Sequence, residues 1–110
     1  MRKTDRGRPE PVLFLELAVG RMEEYTRKHG EYAKEWYLLD FDFVNGPYYT
    51  TDSDIRATRK DGNRWCPKQC KYTYEIVSAD KEHFLIQAKN RDNLVEYEIE
   101  QGSKEPKKVL

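Results

Sequence analysis

The sequence predicts an α+β fold in which one N-terminal α-helix lies across a small antiparallel β-sheet of three to four strands. Apolar residues recur at helical spacing near the N-terminus, and three later segments alternate between apolar and polar residues. These patterns produce the only two large apolar surfaces in the chain, so we expect the surfaces to cover each other. A chain of 110 residues makes one domain, which we place at residues 11–110 after a flexible arm at residues 1–10.

The predicted helix runs from about Pro11 to His29. Its apolar stripe consists of Phe14, Ala18, Met22 and Tyr25, with Leu15 beside it. Gly30 follows as the residue that ends the helix in a left-handed conformation. The basic residues 27–29 place positive charge at the negative end of the helix dipole.

The first two turns of this helix are apolar on nearly every side. Leu13 and Leu17 fall outside the stripe, among charged residues. A helix that is apolar on every side must be shielded from water on every side by other parts of a protein. Packing within the domain's own core and packing against another subunit both fit this pattern.

The predicted sheet is a meander formed by the last forty residues. Its apolar positions are Tyr72, Tyr74, Ile76, Phe84, Ile86, Ala88, Val95, Tyr97 and Ile99. Polar turns at 79–81 and 90–93 separate the three strands, and residues 107–110 add a short fourth. The stretch 48–71 is predicted to be irregular, with turns at 45–47 and 61–63 and one short strand near 55–58.

Composition and motifs favour a structural or binding role over catalysis. Twenty basic and twenty acidic residues give no net charge, and hence no global attraction to nucleic acid or anionic membranes. The chain contains no recognisable nucleophile elbow and no glycine-rich phosphate loop. We therefore expect no enzymatic activity, no cofactor and no small-molecule substrate, and keep a stand-alone soluble α+β enzyme or regulator as an alternative.

One loop combines basic residues with an aromatic. It contains Arg56, Arg59, Lys60, Arg64, Trp65, Lys68 and Lys71, with Asp61 as its only acid. Basic residues with aromatics bind single strands or phosphate backbones. The competing interpretation is a solvated loop whose positive charges balance the acidic residues 96, 98 and 100.

The two cysteines, Cys66 and Cys70, lie four positions apart. Three interpretations compete: a disulfide, free thiols in a reducing compartment, and a metal site shared with His29 or His83. Neither histidine stands at ligand spacing from the cysteines.

Several short sequence segments of the chain resemble the globular domain of type IV pilins and type II secretion pseudopilins. Residues 22–25 (MEEY) end the helix, and residues 28–33 (KHGEYA) and Leu38-Leu39 follow. After a variable loop, two segments resemble strands of the family, at residues 72–76 (YTYEI) and 84–88 (FLIQA). The likeness covers about Leu13 to Gly102, in the same order and at similar spacing.

The chain departs from this family at its N-terminus. The prepilin cleavage site, the initial Phe of mature pilins, the glutamate that follows it and the hydrophobic half of the helix have no counterpart here. The resemblance implies that this half has been removed, with Arg2–Glu10 marking the cut. Membrane contact would then have been made through the missing helix.

The resemblance implies a filament subunit whose partners are other pilin subunits, contacted through Leu13 and Leu17. It implies a location on the bacterial surface or in the periplasm, reached after the subunit has been anchored in the inner membrane before assembly. Because such a protein is exported, the resemblance also favours the Cys66–Cys70 disulfide. The alternative within the family is a minor pilin that binds DNA or a host surface through the basic loop.

Overall fold

The structure, a computed structural model, describes residues 9–39, 62–65 and 71–110. Its elements are helix α1 (Glu10–His29), a 3-10 turn (Trp36–Leu38) and strands β1 (Arg64–Trp65), β2 (Thr73–Ala79), β3 (Phe84–Lys89), β4 (Val95–Glu100) and β5 (Lys107–Lys108). The strands form one antiparallel sheet in sequential order. Helix α1 packs on this sheet, which confirms the predicted α+β fold with five strands rather than three to four.

Local sequence determines both ends of α1. Pro11 occupies the first turn, where its missing N–H costs no helical hydrogen bond. Gly30 ends the helix with φ 80°, and its N–H donates to the Thr26 carbonyl at 2.8 Å. This confirms the predicted glycine cap, because glycine carries no Cβ to oppose the left-handed conformation.

The predicted stripe of α1 lies in the core. Phe14, Leu15, Ala18 and Met22 have no exposed surface, and Tyr25 is half-buried against the same core. From the sheet, the fully or almost fully buried residues are Trp65, Tyr74, Ile76, Phe84, Ile86, Ala88 and Ile99. The two apolar surfaces therefore cover each other, but three predicted sheet positions, Tyr72, Val95 and Tyr97, are only half-buried, and Val95 is not among the residues packed against the core.

Four aromatic rings join α1, the 3-10 turn and the sheet. Phe14 stacks on Tyr74 with ring centroids 3.8 Å apart, and it meets Trp65 and Trp36 edge-on at 5.2 and 5.5 Å. Such pairs stabilise a core beyond the area they bury. We call these four residues the aromatic core.

Strand β1 and the 3-10 turn are elements of the described chain that the sequence did not predict. The two residues of β1 pair with Tyr74 and Glu75 of β2, in a stretch expected to be irregular. Two residues are too few for an alternating pattern to be read. The strand predicted near 55–58, the turn at 45–47 and the two cysteines lie outside the described residues.

Residues 62 and 63 of the turn predicted at 61–63 lead into β1 and connect it to the 3-10 turn. Gly62 has φ 82°, and a Cβ there would lie 2.7 Å from a Glu35 carboxylate oxygen. The Gly62 carbonyl accepts a hydrogen bond from the Trp36 N–H at 3.0 Å, and the Trp36 indole donates to the carbonyls of Asn63 and Tyr74. Glycine at 62 permits both the left-handed conformation and this close approach.

Candidate functional site

The front of α1 carries the predicted assembly residues. Leu13 and Leu17 are both half-buried. Leu17 packs against the core from the flank of the stripe and keeps part of its surface exposed. At about 100° per residue, Leu13 lies nearly opposite the buried stripe, and it is not part of the core cluster. Leu13 is therefore the better candidate for a contact outside the domain.

The structure separates the predicted basic loop into unlike parts. Trp65 is 1% exposed in the aromatic core, so its ring is not available to stack on a nucleic acid base. Arg64 is exposed beside it, because neighbouring strand residues point to opposite faces, and Lys71 is exposed before β2. The remaining members, Arg56, Arg59, Lys60 and Lys68, lie outside the described residues.

A polar network links one end of the sheet to the start of α1. The Tyr72 hydroxyl donates to a Glu96 carboxylate oxygen at 3.2 Å, and the Asn90 amide donates to the other oxygen at 2.9 Å. The Tyr74 hydroxyl donates to Glu10 at 3.1 Å. Burial, the hydrogen bond to Glu96 and the charge of Glu96 raise the pKa of Tyr72 above 10.0. A phenol held protonated in this way is suited to fastening strands together and not to acting as a base at neutral pH.

The turn between β2 and β3 holds a second perturbed acid. One Asp80 carboxylate oxygen accepts hydrogen bonds from the Glu82 and His83 N–H groups at 2.8 and 2.7 Å. These two bonds lower the pKa of Asp80 below 3.8. The carboxylate thus closes the turn, in the manner of aspartates that bond to the backbone two residues on.

A cleft of about 290 Å³ lies between the second half of α1 and the 3-10 turn. Its lining residues are Arg21, Glu24, Tyr25, Lys28, His29, Tyr37, Leu38 and Leu39. The Arg21 Nε is buried and has no hydrogen-bond partner among the residues that the structure describes, and an Arg21 Nη lies 3.7 Å from Glu24. Three cationic or titratable basic groups thus face one carboxylate, beside two exposed apolar side chains, Tyr37 and Leu38. Sequence reasoning missed this cleft, although Arg21, Tyr25 and Lys28 recur at helical spacing.

No group of three or more potential metal ligands occurs within the part of the chain that the structure describes. The His29 ring lies against Tyr25 with centroids 4.2 Å apart, and His83 is an exposed neighbour of Asp80. Both histidines therefore have local contacts of their own. The predicted disulfide at Cys66 and Cys70 remains a prediction.

Comparison of the chain with known protein families, with curated proteins and with solved structures finds no match. Among the described residues, no helix is both long and apolar enough to cross a membrane.

Proposed function

We propose that the chain is a pilin-like structural subunit of a bacterial type IV pilus or a related secretion filament. In this proposal the subunits polymerise through the front of α1, and the sheet faces outward. The observation that carries it is Leu13, an apolar side chain on the side of α1 that faces away from the stripe. The resemblance at residues 22–33, 72–76 and 84–88 and the α+β fold are consistent with this assignment.

Assembly through this surface has a simple physical basis. A half-buried leucine retains apolar surface whose removal from water is favourable by about 25 cal/mol per Å². In a filament every subunit makes the same contact with its neighbours. We infer a location on the cell surface or in the periplasm.

Photo-crosslinking from the helix front tests this proposal directly. The protein is produced in its native host with a benzophenone amino acid at position 13, and the covalent products are identified by mass spectrometry. We expect covalent dimers and higher multimers of this chain, because adjacent subunits meet at Leu13. The same probe at Glu23, an exposed position on α1, is the matched control and should give far fewer products.

A charge substitution provides the second arm. Leu13→Lys should abolish filaments seen by electron microscopy and leave the unfolding midpoint of the purified chain almost unchanged. Glu23→Lys introduces the same side chain at an exposed site and should leave filaments intact. If Leu13→Lys unfolds the chain, or if Leu13→Lys cells keep normal filaments, the assembly role of Leu13 is wrong.

A further inference from the structure

The cleft beside α1 has the features of a peptide-binding site. We propose that it docks an acidic, extended segment of a partner protein, with carboxylates against Arg21 and Lys28 and an apolar side chain against Leu38. This inference does not depend on filament assembly, since none of these residues belongs to the helix front. It rests on charge, on the long 3.7 Å separation of Arg21 from Glu24 and on exposed apolar surface in the same cleft.

The basic residues stand on one face of α1. Arg21, Tyr25 and Lys28 are spaced by four and three residues, which aligns them along the helix. At 1.5 Å per residue, Arg21 and Lys28 are separated by about 10 Å along the axis. An extended peptide covers this distance with about three residues. Two acidic residues of one short segment can therefore meet both cations.

Arg21 is the most informative of these residues. Within the described part of the chain its buried Nε has no hydrogen-bond partner, although buried donors are nearly always satisfied. Glu24 lies 3.7 Å from its Nη, which is longer than the roughly 2.7–2.9 Å of a charge-assisted hydrogen bond. The Arg21 side chain as a whole is 37% exposed, so a partner's carboxylate would contact the solvent-facing side of the guanidinium and not the buried Nε.

The helix dipole alone does not account for the basic residues of the cleft, Arg21, Lys28 and His29. Lys28 and His29 stand in the last turn, where cations complement the helix dipole. Arg21 lies about two turns earlier, beyond the reach of that effect. Its charge partner on the helix is Glu24, three residues on and 3.7 Å away, and a partner's carboxylate would add a second contact.

The apolar wall distinguishes a peptide from a simple anion. Leu38 and Tyr37 are 41% and 44% exposed in the cleft, although two neighbours in the same stretch, Trp36 and Leu39, are buried. An inorganic ion would leave this surface in water, whereas a leucine or similar side chain beside an acidic residue would cover it. The combined charge and apolar surface favour an acidic peptide with interspersed apolar residues.

Fluorescence anisotropy with a labelled peptide tests the proposal on the full chain. The probe is a seven-residue peptide that alternates glutamate and leucine, and its comparison peptide has glutamine in place of glutamate. We expect saturable binding of the acidic peptide and at least tenfold weaker binding of the glutamine peptide. Arg21→Gln should weaken binding of the acidic peptide by about tenfold, as expected for loss of one charge-assisted contact.

Matched variants separate the cleft from general electrostatics. Arg27→Gln removes the same charge from an exposed position outside the cleft and should change affinity by less than twofold. Leu38→Ser should weaken binding severalfold without changing the net charge. Unfolding midpoints of all variants are measured, and Arg21→Lys provides a milder substitution if Arg21→Gln is unstable.

Several outcomes would overturn the proposal. Equal losses for Arg21→Gln and Arg27→Gln would indicate nonspecific charge attraction. Full displacement of the peptide by millimolar inorganic phosphate, with no effect of Leu38→Ser, would indicate an anion site without peptide recognition. Tighter binding of a single-stranded oligonucleotide that is equally sensitive to Arg21→Gln would assign the cleft to nucleic acid. Absence of saturable binding to the acidic peptide would reject the site altogether.

Discussion

Replacing Phe14 with alanine tests the packing that joins α1 to the rest of the domain. Phe14 has no exposed surface and contacts Tyr74, Trp65 and Trp36 in the aromatic core. These partners come from β2, β1 and the 3-10 turn. The single substitution therefore weakens the contact of α1 with three other elements.

The expected loss in the free energy of unfolding is large. Truncation of a buried phenylalanine to alanine costs about 3–5 kcal/mol. The three aromatic partners favour the upper end of this range, because each ring pair contributes roughly 0.5–1.5 kcal/mol beyond its buried area. A domain of this size has a total stability of about 5–15 kcal/mol, so Phe14→Ala removes a substantial fraction of it.

Urea unfolding followed by far-UV circular dichroism measures this loss. Dichroism is preferred to tryptophan fluorescence because Phe14 touches both tryptophans, so the substitution alters their emission directly. Phe14→Leu, which keeps most of the apolar volume, should cost clearly less than Phe14→Ala. Val77→Ala, at a position that is 42% exposed, should stay within about 0.5 kcal/mol of the wild type.

A small effect of Phe14→Ala would refute this account of the core. A loss below about 1 kcal/mol is the size expected for surface positions or for shallow packing. It would mean that α1 is not held to the sheet through Phe14. The contacts of the aromatic core would then have to be reassigned.

Two further predictions concern ionisation and redox state. Because burial and Glu96 raise the pKa of Tyr72 above 10.0, its stabilising contribution is complete below that pH and is lost as the pH rises through the folded-state pKa. The unfolding free energy of Tyr72→Phe should therefore fall less steeply than that of the wild type above pH 10, and an equally steep fall would contradict the role of Tyr72. For Cys66 and Cys70 we predict a disulfide. Thiol titration of the unfolded, unreduced protein from its native compartment should find no free thiols, and two free thiols would exclude the bond.

The aromatic core shows where sequence reasoning stops. The burial of Phe14 and Tyr74 follows from their places in a helical and an alternating pattern. Trp65 stands among basic residues, and composition alone suggested an exposed binding loop. Its burial depends on β1 pairing with β2 and on contact with Trp36, 29 positions away in the chain. No local pattern carries that information.

The helix front shows the same limit at shorter range. The sequence correctly places Leu13 and Leu17 outside the stripe, but it does not distinguish the two residues. The structure does, since Leu17 packs against the core and Leu13 is not part of that cluster. How far a flanking side chain reaches depends on the shape of the surface beneath it, which is a property of the packed domain.

The sequence by itself determined the bounds of α1, the three long strands and the buried faces of β2 and β3, whereas the predicted face of β4 is buried only at Ile99. These features depend on periodicity and on single residues such as Gly30, which act within a few positions of the chain. The tertiary structure alone decided β1, the cleft beside Arg21 and the bond between Tyr74 and Glu10. The last of these joins residues 64 positions apart. Such contacts form only when packing brings distant segments together, so their existence is set by the whole fold.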